Sequence, residues 1–195
     1  MRNIDAIVLA AGRSTRMKRP KARLEAVEGV SFLERAIRLL REAGCRYVIA
    51  VVNEHDDWTA RLADVTGAAV VLNDVAGSQQ IDSIRLGIAT LPDDSEAAFI
   101  LPVDVAGVRI ETVRQLMEVY RGTGACVVLP RNGKKTGHPV LIAKDVYGEL
   151  LADAPNGAES IVLQHARRRE VDVVDAGAYI DIDTEADYET YLRGL

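Results

Sequence analysis

The run YVIAVV, Tyr47–Val52, is six apolar residues with no polar interruption. A strand on a half-solvated sheet alternates polar and apolar, so an unbroken run of this length marks a strand covered on both faces, the usual situation of parallel strands flanked by helices. Around it the chain repeats strand, loop and helix. IDAIVLA (Ile4–Ala10) reads as a first strand, and Ala11–Lys21 as a polar loop. Ser31 with Glu34 three residues on forms a capping box for a helix over 32–43, whose stripe of Phe32, Leu33, Ala36, Ile37, Leu39 and Leu40 ends at Gly44. Helices are predicted at 56–66, 78–91, 110–120 and 145–151, and strands at 69–72, 97–101, 126–129 and 139–142. A further helix over 157–169 follows a Pro155-Asn156 break, a strand covers 171–174, an edge or bridging strand covers 179–182, and Thr184 caps a last helix over 185–192. This order predicts an α/β class fold, one domain over residues 1–195, with a mostly parallel sheet between helical layers.

Bulk properties narrow the function. A net charge of -5 argues against a protein that coats nucleic acid, which needs a basic face to release counterions. Yet Arg13, Arg16, Lys18, Arg19, Lys21 and Arg23 put six cations into eleven residues with no acid between them, a local field able to draw in a polyphosphate. Cys45 and Cys126 have no paired or metal-binding spacing and read as small buried hydrophobes. No apolar run reaches the roughly 20 residues that span a bilayer, and the N-terminus has no export-signal layout, so the expected location is the cytoplasm, without a membrane partner. The oligomeric state is left open.

Two segments fall where ligands of such sheets collect, beyond the carboxyl ends of strands. In LAAGRSTRMKRPK (Leu9–Lys21), Ala10, Ala11 and Gly12 keep the backbone approachable, while Arg16 and Lys21 can reach phosphoryl oxygens. The loop matches neither GxGxxG nor GxxxxGK, which disfavours a dinucleotide-dependent oxidoreductase, and on its residues alone it also admits a basic surface loop. In LPVD (Leu101–Asp104), Asp104 can bind Mg2+ at a strand end or simply cap a turn. Near the C-terminus, YIDIDTEADY sends Asp181 and Asp183 to one side of an extended segment, either toward Asp104 or as a polar edge strand ahead of a helix cap. His138 reads as a packed histidine lining a turn, or as a general base or phosphate ligand.

These segments together resemble nucleotidyltransferases of the molybdenum-cofactor type, the MobA-like and MocA-like group. The blocks are AIVLAAGRSTRM with Lys21, GSQQIDSIRLGI (Gly77–Ile88), LPVDVAGV (Leu101–Val108), KTGHPVLI (Lys135–Ile142) and AYIDIDTEADY (Ala178–Tyr188), in the family's order over nearly the whole chain. The resemblance implies a Rossmann-like three-layer α/β/α sandwich of the nucleotide-diphospho-sugar transferase type. It implies transfer of a nucleotide from CTP or GTP to a phosphorylated acceptor such as molybdopterin, with Mg2+ as cofactor. Leu9, Ala10, Ala11, Gly12, Arg13 and Ser83 then belong to the nucleotide site, Arg16, Lys21 and Asp104 to catalysis, and Gly137 and His138 to the acceptor side. The metal falls to Asp104 and Asp181, with Asp183 in reserve. Two positions depart from the pattern: Lys18 replaces the glycine after Met17, and LPVDVAG lacks the block's second proline. The competing reading is a protein that binds nucleotide without turning it over.

Overall fold

The computed structural model describes residues 2–12, 14, 16–17, 19–75, 77–152 and 157–194. Arg13, Lys18 and the Pro155-Asn156 break therefore lie outside the described residues. The first strand, β1 (Ile4–Ala10), is buried along its whole length. Its one polar side chain, Asp5, is fully covered and satisfied, accepting from the Tyr47 amide at 3.1 Å and from the Arg46 guanidinium at 3.2 Å. Parallel strands on both sides explain this burial: β1 pairs with β4 (Val48–Asn53) and with β6 (Ala97–Pro102). β5 (Ala69–Asn73) extends the sheet parallel beyond β4. On the other side β9 (Val140–Ala143) runs antiparallel between β6 and β7 (Val127–Asn132), and β10 (Arg168–Asp172) closes the sheet parallel to β7. The resulting order is β10-β7-β9-β6-β1-β4-β5.

Two short pairings have no counterpart among the predicted strands. They are the β2 (Glu25–Val27) and β3 (Val30–Ser31) hairpin, and β8 (Lys135–Thr136) on the end of β7. Elements this short carry too few residues to show a period of two.

α1 (Phe32–Ala43) forms where its capping box requires it, with Ser31 Oγ accepting from the Glu34 amide and left-handed Gly44 closing it at φ 108°. It packs beside α2 (Asp57–Val65) and α4 (Ile110–Gly122), while α3 (Gln80–Thr90) groups with α5 (Tyr147–Leu151) and α6 (Gly157–Gln164). The sheet thus lies between two helical layers, the α/β/α sandwich with a mostly parallel mixed sheet.

Two expectations need correction. The helix predicted over 157–169 stops at Gln164, and Arg168 and Arg169 are strand residues of β10, because pairing with Val127 and Val128 overrides their helix propensity. The strand predicted over 179–182 is instead a 3-10 turn at Ala176–Tyr179 followed by irregular chain. α7 (Glu185–Leu192) starts at its Thr184/Asp187 capping box, and Tyr188 and Tyr191 pack edge-on against Phe32 of α1. Among the described residues no helix is long and apolar enough to cross a membrane.

α3 crosses β1 closely at Gly87, where an added Cβ would meet Ile7 Cγ2 at 2.5 Å. Ile7 is fully buried and β-branched, so it cannot rotate away. Gly87→Ala should therefore destabilise the fold by on the order of 1 kcal/mol, overpacking outweighing the gain in helix propensity. Urea unfolding reads the change, and a stabilised variant would mean that α3 does not sit against β1.

Candidate active site

The strand order reverses between β1 and β6: the chain leaves β1 toward β4 on one side, and returns to β6 on the other. Connections therefore diverge at the carboxyl ends of these two strands and leave a crevice, the place where such sheets bind ligands. A cleft of about 200 Å3 lies there. Leu9, Ala10, Ala11 and Gly12 line one wall, Pro102, Val103 and Asp104 the other, with Lys21 and Ser83 between them. The two walls are tied by the Val103 amide, which donates to the Leu9 carbonyl at 3.0 Å. A Cβ at Gly12 would meet nothing within 4 Å, so the packing of this chain does not explain the glycine; it leaves backbone bare toward the cleft. Ser83 is buried on α3 and accepts from Asn73 Nδ2 at 2.9 Å, which fixes the hydroxyl against the end of β5.

The loop after β1 is held by its own turn. Ser14 adopts φ 48°, its carbonyl accepts from the Met17 amide at 3.1 Å, and its hydroxyl accepts from the Lys21 amide at 3.0 Å. Met17 is buried beneath it. Of the described cations in the run, Arg19 is paired with Glu185 at 2.6 Å and lies over the Tyr188 ring, and Arg23 is paired with Asp56 and lies over Trp58. These two brace the loop against α7 and α2. Arg16 and Lys21 are turned toward the carboxylates of the site.

Lys21 Nζ donates to Asp104 Oδ2 at 2.7 Å and to Asp183 Oδ1, and Arg16 Nη1 stands 2.8 Å from Asp183 Oδ2. Burial disfavours the Lys21 charge, but the hydrogen bonds to Asp104 and Asp183 outweigh it, and its pKa is raised above the ordinary lysine value. Asp183 is brought there by backbone bonds. The buried Ile182 donates its amide to the Asp104 carbonyl at 3.0 Å, and the Asp183 amide donates to Asp187 Oδ2 at 3.1 Å. Asp181 has no hydrogen-bond or ion-pair partner among the described residues. The carboxylate that shares Lys21 with Asp104 is thus Asp183, the reserve choice of the sequence reading, and Asp181 lines a second cavity that Asp183 lines as well.

That second cavity, of about 710 Å3, opens on the other side of the carboxylates. Arg16, Asp181, Asp183 and Lys135 stand around it, and Ile84, Ile100, Leu129, Val140 and Val162 give it an apolar lining. Gly137 and His138 belong to it as well. The Gly137 position is forced by packing, since a Cβ there would meet the Ala178 carbonyl at 2.2 Å. Next to it the His138 amide donates to that same carbonyl at 2.8 Å. His138 Nδ1 is buried and unpaired among the described residues. Burial pushes its pKa below the ordinary imidazole value against the pull of Asp181 and Asp104.

For a metal, no group of three or more His, Cys, Asp or Glu side chains converges among the described residues. Asp104 and Asp183 do converge on a single cation. Mg2+ is commonly held by one or two carboxylates, with phosphate oxygens and water completing its shell, so an all-oxygen donor pair of this kind suits it.

Residues 6–170 match the family described as MobA-like NTP transferase domain. The chain belongs to that family. Among curated relatives, this MobA-like domain is 23% identical to the molybdenum cofactor cytidylyltransferase of Escherichia coli K12, over 97% of this chain and 96% of that protein. It is 30% identical to the bifunctional protein GlmU of Synechococcus sp. CC9605, of which it spans only 38%. Among solved structures, Rv0371c of Mycobacterium tuberculosis H37Rv superposes with a TM-score of 0.82 at 25% identity, covering 99% of this chain and 98% of that one. A manganese complex of Rv0371c superposes at 0.79, with 26% identity, 99% of this chain and all of that one covered. A nucleotidyl transferase of Methanothermobacter thermautotroptrophicus shares the fold at a TM-score of 0.82 and 20% identity, over 98% and 99% of the two chains.

Asp175, Lys135 and Gln80 are not among the residues that the sequence singles out; Asp175 supports the fold and lines neither cavity, whereas the other two line them. Asp175, buried, accepts from Thr112 Oγ1 at 2.5 Å and from the Arg109 amide at 2.9 Å, capping α4 from a remote segment. Lys135 donates to the Tyr179 carbonyl. Gln80, at the start of α3, lines both cavities.

Because the folded state holds His138 neutral and the unfolded chain protonates near the usual value of about 6.5, stability contributed by the neutral ring should be complete above that pH and fall as pH drops below it. The urea midpoint is expected to decline as pH falls below about 6.5, with a shallower decline in His138→Gln. Equal slopes in the two proteins would remove His138 as the source.

Proposed function

We propose that this MobA-like domain, acting as one unit over residues 1–195, is a Mg2+-dependent nucleotidyltransferase. It transfers NMP from a nucleoside triphosphate, CTP or GTP favoured, to a phosphorylated acceptor such as molybdopterin and releases pyrophosphate. The observation that carries the reading is the cluster of Lys21, Arg16, Asp104 and Asp183 at the meeting of two cavities. One cavity has a bare backbone wall, and the other has an apolar lining large enough for an acceptor. The cytidylyltransferase relative matched end to end, and the relative crystallised with manganese, point the same way.

In this reading the triphosphate lies along Leu9–Gly12, its base end reaching Ser83 and its phosphates toward Lys21, with Arg13 assigned to the same subsite. An oxygen of the acceptor phosphate, entering past Gly137 and His138, attacks the α-phosphorus in line. The bond from that phosphorus to the bridging oxygen breaks, and pyrophosphate departs with the electron pair. No protein nucleophile is required. Arg16 and Lys21 stabilise the charge that accumulates on the leaving pyrophosphate, and the cleft wall holds the reactants in line. Asp104 and Asp183, with Asp181 adjacent, would hold the metal, which supplies neutralisation and polarisation of the phosphoryl oxygens.

The test is pyrophosphate release in Mg2+ from CTP, GTP, ATP and UTP, each with and without phosphorylated acceptors including molybdopterin. Acceptor-dependent release from CTP or GTP is expected. Binding of triphosphate with no release from any pair would instead favour a non-catalytic nucleotide-binding protein. In the active pairing, Asp104→Asn should lower turnover by at least about 100-fold, the scale of losing one electrostatic group at a transferring phosphoryl centre. Its circular dichroism should match that of the unsubstituted chain, and loss of the folded state would make Asp104 a structural residue.

A further inference from the structure

Arg16 and Lys21 are the cations that the proposed reaction assigns to phosphates, yet in this structure both are engaged by carboxylates. Lys21 bridges Asp104, at 2.7 Å, and Asp183, while Arg16 takes the other oxygen of Asp183 at 2.8 Å. The Lys21 side chain is only 12% exposed, so the pairs it makes are poorly screened compared with those on an open surface. The two expected ligands want opposite halves of this cluster: a polyphosphate wants the cations, and a divalent cation wants the carboxylates.

The backbone beneath both carboxylates is tied in place. Asp104 lies two residues past the end of β6, after Val103, whose amide is bonded to the Leu9 carbonyl, and Asp183 is tied by the Ile182 amide to the Asp104 carbonyl and by its own amide to Asp187. Lys21, by contrast, carries its charge on a flexible four-carbon stem. A dication within bonding distance of both carboxylates, about 2.1 Å from their oxygens, would also lie within a few ångströms of the ammonium, where like charges repel strongly.

We propose that Lys21 is a resident counter-ion that keeps divalent metal off Asp104 and Asp183 until a polyphosphate draws its ammonium away. Reciprocally, Asp183 holds Lys21 and Arg16 until metal takes its carboxylate. Each ligand thereby raises the affinity for the other, as linkage requires when both displace the same internal pairs. The inference rests on the nucleotidyltransferase reading for the identity of the two ligands, but its test needs no turnover.

Free Mn2+ is measured by electron paramagnetic resonance in a titration of the full chain without nucleotide. Lys21→Met should bind Mn2+ at least about tenfold more tightly than the unsubstituted chain, a shift of ~1.4 kcal/mol. Unchanged or weaker binding by folded Lys21→Met overturns the proposal. The reciprocal arm is tripolyphosphate binding in EDTA by calorimetry, where Asp183→Asn should gain about tenfold, again ~1.4 kcal/mol. No gain there overturns the role of Asp183, and this arm decides alone if Lys21→Met fails to fold. Failure of the functional reading is separable: it shows as absence of pyrophosphate release from every nucleotide and acceptor pair, whatever the Mn2+ affinities.

Discussion

β1 is paired in parallel on both sides, and the rest of the molecule is arranged around that fact. A strand with neighbours left and right has no edge, so its backbone groups are satisfied within the sheet and its side chains must be apolar on both faces. The single exception, Asp5, is matched by Arg46 and the Tyr47 amide at the end of the strand away from the cleft. At the other end no strand continues. The chain leaves β1 and β6 in divergent directions and exposes backbone and short side chains to a crevice that neither connection covers. The position of the cleft is a consequence of strand order before it is a consequence of any particular residue.

What the crevice can do depends on a second constraint, the docking of α7. Tyr188 and Tyr191 against Phe32, and Arg19 across Glu185 and Tyr188, fix the C-terminal helix to the first helical layer. The segment before it, 180–184, is consequently laid along the end of β6, with Ile182 buried and its amide on the Asp104 carbonyl. Charges separated by 162 positions in the chain, Lys21 and Asp183, meet for that reason. The cost of burying the lysine is offset by two carboxylates instead of one, which also leaves the cluster able to exchange its internal pairs for ligands of either sign.

Legibility of this arrangement varied with the range of the interaction involved. α1 was readable to the residue because its start and stop are local: Ser31 with Glu34 satisfies backbone donors, and Gly44 supplies the left-handed turn. β10 was misplaced because Arg168 and Arg169 favour a helix by local propensity, and only pairing with β7 draws them into a strand. The stretch 179–182 alternates like a strand, but no neighbouring strand offers it a ladder, and its backbone hydrogen bonds go to the Asp104 carbonyl and the Lys135 ammonium instead. In the candidate site, Lys21 and Asp104 could be named from their places after β1 and β6. The choice between Asp181 and Asp183 could not, since both share one face and differ only in which one the tertiary register sets against Lys21.

The sequence by itself determined the α/β class, the helix caps, the apolar strands and the family, because these rest on periodicity, on contacts a few residues apart, and on motif blocks that survive without any geometry. Tertiary structure alone decided that Arg19 and Arg23 brace the loop while Arg16 and Lys21 face the carboxylates. It also decided that Asp183 joins Asp104 and that two cavities meet at that cluster. The physical reason is that charge pairing depends on distance in space. Side chains of one type along a single basic run become different groups once the fold has set which of them lie near an acid.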